Sequence, residues 1–119
     1  MSKNTIGDWL YFATEEVNVR DIFQLVESEY ETEIWEDAGV LEITLKDGNS
    51  IDIEAAKIHP KDEITAAFAE EKGAKNVFLI TFIPDSFDEA KNVMQLIYDK
   101  LGGVFCGDTE DFKPEFPEA

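Results

Sequence analysis

Cys106 and His59 are the only cysteine and the only histidine in the chain, so a search for nucleophilic chemistry starts with them. A thiolate–imidazole pair needs the two side chains within hydrogen-bond reach. Cys106 falls in an apolar stretch beside Phe105, where a free cysteine acts as a small packing residue. His59 directly precedes Pro60 and reads as a helix-entry residue. One cysteine and one histidine do not supply the usual zinc ligand clusters. Asp108-Thr109-Glu110-Asp111 offers carboxylates to a hard cation but lacks the D-x-D-x-D-G-x5-E spacing of a calcium loop. Asp47-Gly48-Asn49 reads as a turn. With 27 acidic residues some pair falls at any chosen separation, so carboxylate spacing does not point to acid–base or glycosidic chemistry. Gly102-Gly103 is too short for a phosphate loop and lacks its lysine. The sequence predicts no catalytic residue, no metal site and no cofactor.

What does stand out is charge. The chain carries 27 acidic and 10 basic residues, a net of −17. Such a molecule repels nucleic acid and anionic membranes over a screening length of roughly 8–10 Å, and it attracts and steers a basic protein. The excess is uneven, with −11 on residues 1–56 and −6 on residues 57–119. Its densest run is Glu27, Glu29, Glu31, Glu33, Glu36 and Asp37, uninterrupted by lysine or arginine. Carboxylates at the end of a helix oppose its dipole, and neighbouring like charges repel, so local stability does not select this run. Trp35 lies inside it and is of the type enriched in binding hot spots. Glu27, Glu29, Glu31, Glu33, Trp35, Glu36 and Asp37 are therefore the candidate partner-binding residues. The competing reading places Trp35 in the core and makes the acids a solvated edge that discourages strand pairing. A second acidic segment, Asp108, Glu110, Asp111, Glu115 and Glu118, is interleaved with Phe112 and Phe116 and suits a tail that docks on its own domain or on a partner.

The elements that must position these residues are legible from periodicity. Trp9-Leu10-Tyr11-Phe12-Ala13 predicts a strand near residues 8–14. Asn18 is an N-cap with Asp21 in capping-box position, and Val19, Ile22, Phe23, Val26 and Tyr30 predict a helix near 18–30. Thr32 to Glu36 reads as a strand. Leu41, Ile43 and Leu45 alternate with polar residues, Lys46-Asp47-Gly48-Asn49 turns the chain, and Ile51 and Ile53 alternate on the return. That hairpin has one apolar and one polar face, as in an antiparallel sheet wet on one side. Pro60 opens a peripheral helix near 60–72, closed by Gly73. Val77 to Ile83 predicts a central strand covered on both faces. Ser86-x-x-Glu89 predicts a capping box, followed by a helix that Gly102-Gly103 stops. Val104-Phe105-Cys106 predicts a last strand.

The chain of 119 residues suits one domain, and 44% hydrophobic with 12% aromatic residues fill a core without a staple. The expected fold is α+β: a mainly antiparallel sheet with about three helices, in the order β-α-β-β-β-α-β-α-β, with a ferredoxin-like core as one topology. The expected domain spans residues 1–106, with 107–119 an acidic irregular tail. A single cysteine, an N-terminus without an apolar signal region and the lack of a membrane-length apolar run fit a reducing cytoplasm.

Trp35-Glu36-Asp37-Ala38-Gly39-Val40-Leu41-Glu42-Ile43 and Leu101-Gly102-Gly103-Val104-Phe105-Cys106-Gly107-Asp108 resemble segments of small acidic bacterial proteins. Those proteins are encoded near polymorphic or contact-dependent toxin genes and act as immunity proteins. The resemblance implies an inhibitor that covers the active site of a toxin, often a basic nuclease. It carries over no binding residue, because such families vary in their binding faces. Two other readings stand beside it: a nucleic-acid mimic that blocks a DNA-binding enzyme, and a housekeeping module whose acidity serves solubility. The partner expected is a basic protein, with no nucleic acid and no membrane; the oligomeric state stays open.

Overall fold

The computed structural model describes residues 7–109 and 111–116. The strands are β1 (Asp8–Ala13), β2 (Glu31–Trp35), β3 (Val40–Thr44), β4 (Ser50–Ala56), β5 (Asn76–Phe82), β6 (Val104–Gly107) and β7 (Glu115–Phe116); the helices are α1 (Val19–Val26), α2 (Glu63–Lys72) and α3 (Phe87–Leu101). The strands form one seven-stranded sheet in the order β2-β3-β4-β5-β1-β6-β7. Every pairing is antiparallel. The α+β class therefore holds, but the ferredoxin-like topology does not. A split βαβ core sets its first strand parallel to a neighbour, whereas both neighbours of β1, β5 and β6, run against it.

The alternation in the hairpin determines which face is buried. Leu41, Ile43, Ile51 and Ile53 are fully buried, together with Tyr11, Phe78, Ile80 and Phe105 on the same side of the sheet. α1 and α3 cover that side with Ile22, Val26, Ala90, Val93, Met94 and Ile97. The capping box that starts α1 is complete: Asn18 Oδ1 accepts the Asp21 amide at 3.0 Å and Asp21 Oδ2 accepts the Asn18 amide at 2.9 Å. α1 stops at Val26, earlier than the apolar spacing to Tyr30 suggests. The amides of Glu29 and Tyr30 both turn back to the Val26 carbonyl, and no basic residue in the last turn favours a longer helix.

The opposite face is covered only in part. α2 packs there through Phe68 and Ala69 onto Leu10, Phe12, Val77, Leu79 and Cys106. α2 begins at Glu63 rather than Pro60, because Asp62 caps it by accepting the Thr65 amide at 3.0 Å. The helix is peripheral, with Ile64 70% exposed.

Two sequence expectations fail near the ends. The Ser86–Glu89 capping box does not form. Ser86 is 1% exposed, and its hydroxyl donates to Asp47 Oδ2 at 2.7 Å while accepting from Asn49 Nδ2 at 3.0 Å. A charge-assisted bond to a carboxylate outcompetes the weaker bond to a helix amide, so the serine ties the β3–β4 turn to the start of α3. Within the described residues 107–109 and 111–116 the chain is not an irregular tail, while Glu110 and Glu118 lie outside the described residues. β6 continues through Gly107, and β7 adds to it with Phe105 opposite Phe116. Phe112 is only 8% exposed and stacks on Phe68 at 4.1 Å, with Phe12 edge-on at 6.5 Å. Apolar burial of the interleaved phenylalanines holds this acidic segment to the domain, helped by a part-buried Lys72–Glu115 ion pair.

Replacing Phe112 with alanine should lower the free energy of unfolding in urea by about 3 kcal/mol, as for a core aromatic; a change within about 0.5 kcal/mol would mean the segment is a mere appendage. A second expectation concerns acid. The hydrogen bond from Ser86, then that from the Asn49 amide, holds the Asp47 carboxyl below its ordinary range. A depressed carboxyl contributes stability above its unfolded value, near about 4, and that contribution is lost as pH falls through the folded value. Ser86→Ala should lower the urea midpoint at neutral pH and flatten the stability loss below about pH 4; an acid profile identical to wild type would contradict this.

Candidate partner-binding face

On the face opposite α1 and α3, the strand register aligns side chains into rows. Glu33 on β2 faces Glu42 on β3, Glu42 faces Asp52 on β4, Asp52 faces Thr81 on β5, and Thr81 faces Asp8 on β1. The flanking rows are Glu31–Thr44–Ser50 and Trp35–Val40–Glu54–Leu79. Directly opposed residues stand about 4.5–5.5 Å apart at Cβ. α2 and Phe112 cover the β5-β1-β6 side of this face, where Leu10 and Phe12 lie. On this face, among the described residues, no helix lies over β2, β3 and the first part of β4. Those three strands contain no lysine or arginine.

The result is an open acidic half-sheet. Glu31, Glu33, Asp52 and Glu54 are exposed, and Glu42 is half-buried between neighbours of its own sign. Trp35 is 48% exposed at the rim, so it is not a core residue. At the other end a shallow groove of about 580 Å³ runs between β4 and the Ile83–Pro84 segment, with Glu42, Asp52, Thr44, Thr81 and Asn49 in its lining. Paired carboxylates flanked by hydroxyls and an amide can receive an ammonium or guanidinium group by charge-assisted hydrogen bonds.

The acidic run read from the sequence is divided by the fold. Glu31, Glu33 and Trp35 alternate outward on β2, while Thr32 and Ile34 point toward α1 and α3. Glu27 and Glu29 are exposed in the turn between α1 and β2. Glu36 and Asp37 lie in a short 3-10 turn after β2, closed by Gly39 in the left-handed conformation at φ 69°. Glu36 takes an ion pair from Arg20 of α1, both side chains about half exposed. Such a surface pair adds little stability, but it occupies the carboxylate. Glu42, Asp52 and Glu54 join the face although they lie outside the run. Their outward direction was legible in the hairpin alternation; their alignment with Glu33 needed the β2–β3 register.

Cys106 and His59 lie outside this open half-sheet. Cys106 is buried beneath α2, and burial foremost pushes its thiol up to about 12, so it is not a thiolate at neutral pH. His59 is exposed, and its Nδ1 accepts the Lys61 amide at 3.0 Å. No hydrogen bond joins His59 to Cys106 among the described residues. Among the same residues no three His, Cys, Asp or Glu side chains converge as metal ligands, and no helix is long and apolar enough to cross a membrane.

Opposed like charges destabilise a sheet by a few tenths of a kcal/mol up to about 1 kcal/mol. Glu42→Gln, which removes the middle carboxylate of the row, should therefore raise stability by about 0.5 kcal/mol at low salt. Added salt should shrink the gain. A loss of stability on this substitution would show that Glu42 holds the fold together. Comparison with known proteins finds no match: no family model, no curated protein and no solved structure is similar to this chain.

Proposed function

We propose that this chain is a protein-binding inhibitor, not an enzyme, that holds a basic protein on the open half-sheet of β2, β3 and β4. The observation that carries this reading is the register-aligned row Glu33–Glu42–Asp52, which stands on the part of the face that α2 leaves open. Its repulsion is a cost in the isolated protein that vanishes when cations from a partner are placed between the carboxylates. Exposed Trp35 supplies an aromatic anchor beside the row, and the groove at Glu42 and Asp52 supplies a seat for a lysine or arginine. The resemblance of residues 35–43 and 101–108 to immunity-protein segments favours a toxin domain as the partner, in the cytoplasm of the producing cell. A nuclease fits, because its nucleic-acid site presents the cations that such a row would neutralise.

The nucleic-acid-mimic reading asks for phosphate-like spacing along an elongated face. Here the molecule measures 37 × 36 × 24 Å, and the acids follow strand-to-strand spacing across a short sheet, which favours a compact docking face.

The test is binding to the product of the adjacent gene, measured at low and high salt with wild type and with the Glu33→Lys, Glu42→Lys double variant. The expected result is fast association that slows steeply with salt, and a double variant that associates about tenfold more slowly or worse while staying folded. Association that ignores both salt and the double variant would end the proposal.

A further inference from the structure

β2 is the terminal strand of the sheet, paired with β3 along one side only. Among the described residues its other side has no backbone partner. The opposite edge ends in a strand of just two residues, Glu115–Phe116, whereas β2 offers five, Glu31–Trp35. An exposed edge of that length is a template for another strand unless something deters pairing. The deterrent here is selective. A second copy pairing antiparallel about the centre of β2 would bring Glu33 against Glu33, and directly opposed like charges repel. A strand with cations at alternate positions meets no such barrier and gains from it.

We infer that β2 accepts an extended segment of the basic partner as an eighth strand, with lysine or arginine at alternate positions. This rests on the partner being basic, as proposed above, and specifies how it is held. The rows dictate the pattern. Residues of the added strand that point to the open face extend the rows of Glu31 and Glu33, which call for cations, and the row of Trp35, which calls for an apolar or cationic side chain. The intervening residues fall beside Thr32 and Ile34 on the helix side. There Ile34 is only partly buried against the core, so they should be apolar. Main-chain bonds supply affinity and the alternate side chains supply selection.

The test uses the intact protein and four blocked heptapeptides: one alternating lysine and valine, one of identical composition with the lysines in a block, and two methylated forms of the alternating peptide, each with one alternate set of amides methylated. The alternating peptide should bind and slow amide hydrogen exchange within Glu31–Trp35. The block peptide should bind about tenfold more weakly or worse, and so should one of the two possible methylated forms, since each removes backbone bonds or cation register. The Glu31→Lys, Glu33→Lys variant should lose the alternating peptide. Equal binding of all peptides, with perturbation at Glu42, Asp52 and Thr81 but none in the β2 amides, would overturn strand addition while leaving the basic-partner reading intact. Absence of binding by the alternating peptide at low salt would also overturn it.

Discussion

The two-residue period of a β-strand couples the faces of this sheet, and that coupling governs the rest of the structure. Burying Leu41, Ile43, Ile51 and Ile53 under α1 and α3 forces Glu42, Thr44, Asp52 and Glu54 out on the other side. A slip of one residue in any pairing would invert both faces together, exposing the isoleucines and burying the acids. The apolar core thus sets the register, and the register in turn sets where the carboxylates stand. The row Glu33–Glu42–Asp52 is a consequence of packing on the far side of the sheet.

The same coupling explains why the acids persist at positions that do not suit the isolated protein. β-strands disfavour aspartate and glutamate, and opposed like charges add repulsion. Neither effect is large beside the burial of a core rich in isoleucine and aromatic rings, so the fold tolerates them. What the acids do alter is the field outside. The exposed residues of β2, β3 and β4 include carboxylates and no cation, so this area presents negative charge to whatever approaches it. Among the described residues the cations stand on the helices, as with Arg20 on α1, Lys72 on α2, and Lys91 and Lys100 on α3, and in connecting segments such as Lys46 in the β3–β4 turn and Lys57 just after β4.

The covered part of the same face shows the alternative solution. There Leu10, Phe12, Leu79 and Cys106 point outward, and α2 and Phe112 close over them. Phe112 accepts a left-handed backbone, φ 56°, where it stacks on Phe68 and meets Phe12 edge-on. A backbone conformation that β-carbons disfavour is kept where surrounding contacts over-determine it. One sheet face therefore carries an apolar part that the chain seals by itself and a charged part that it leaves open.

The α+β class, the hairpin with its two faces, the capping box at Asn18 and the buried character of Cys106 were all legible in the sequence. Each depends on residues close together along the chain: period-two alternation, a cap and its partner three positions on, a thiol among apolar neighbours. The sequence also revealed the excess of acid and the presence of Trp35 within it. It could not show that Glu33 stands opposite Glu42, that Arg20 reaches Glu36, that Ser86 leaves its helix for Asp47, or that Phe112 folds back over Phe12. Those are contacts between distant parts of the chain, chosen by competition among many partners of similar local merit. Only the assembled sheet, in which one burial pattern outweighs the rest, decided which carboxylates would share a surface.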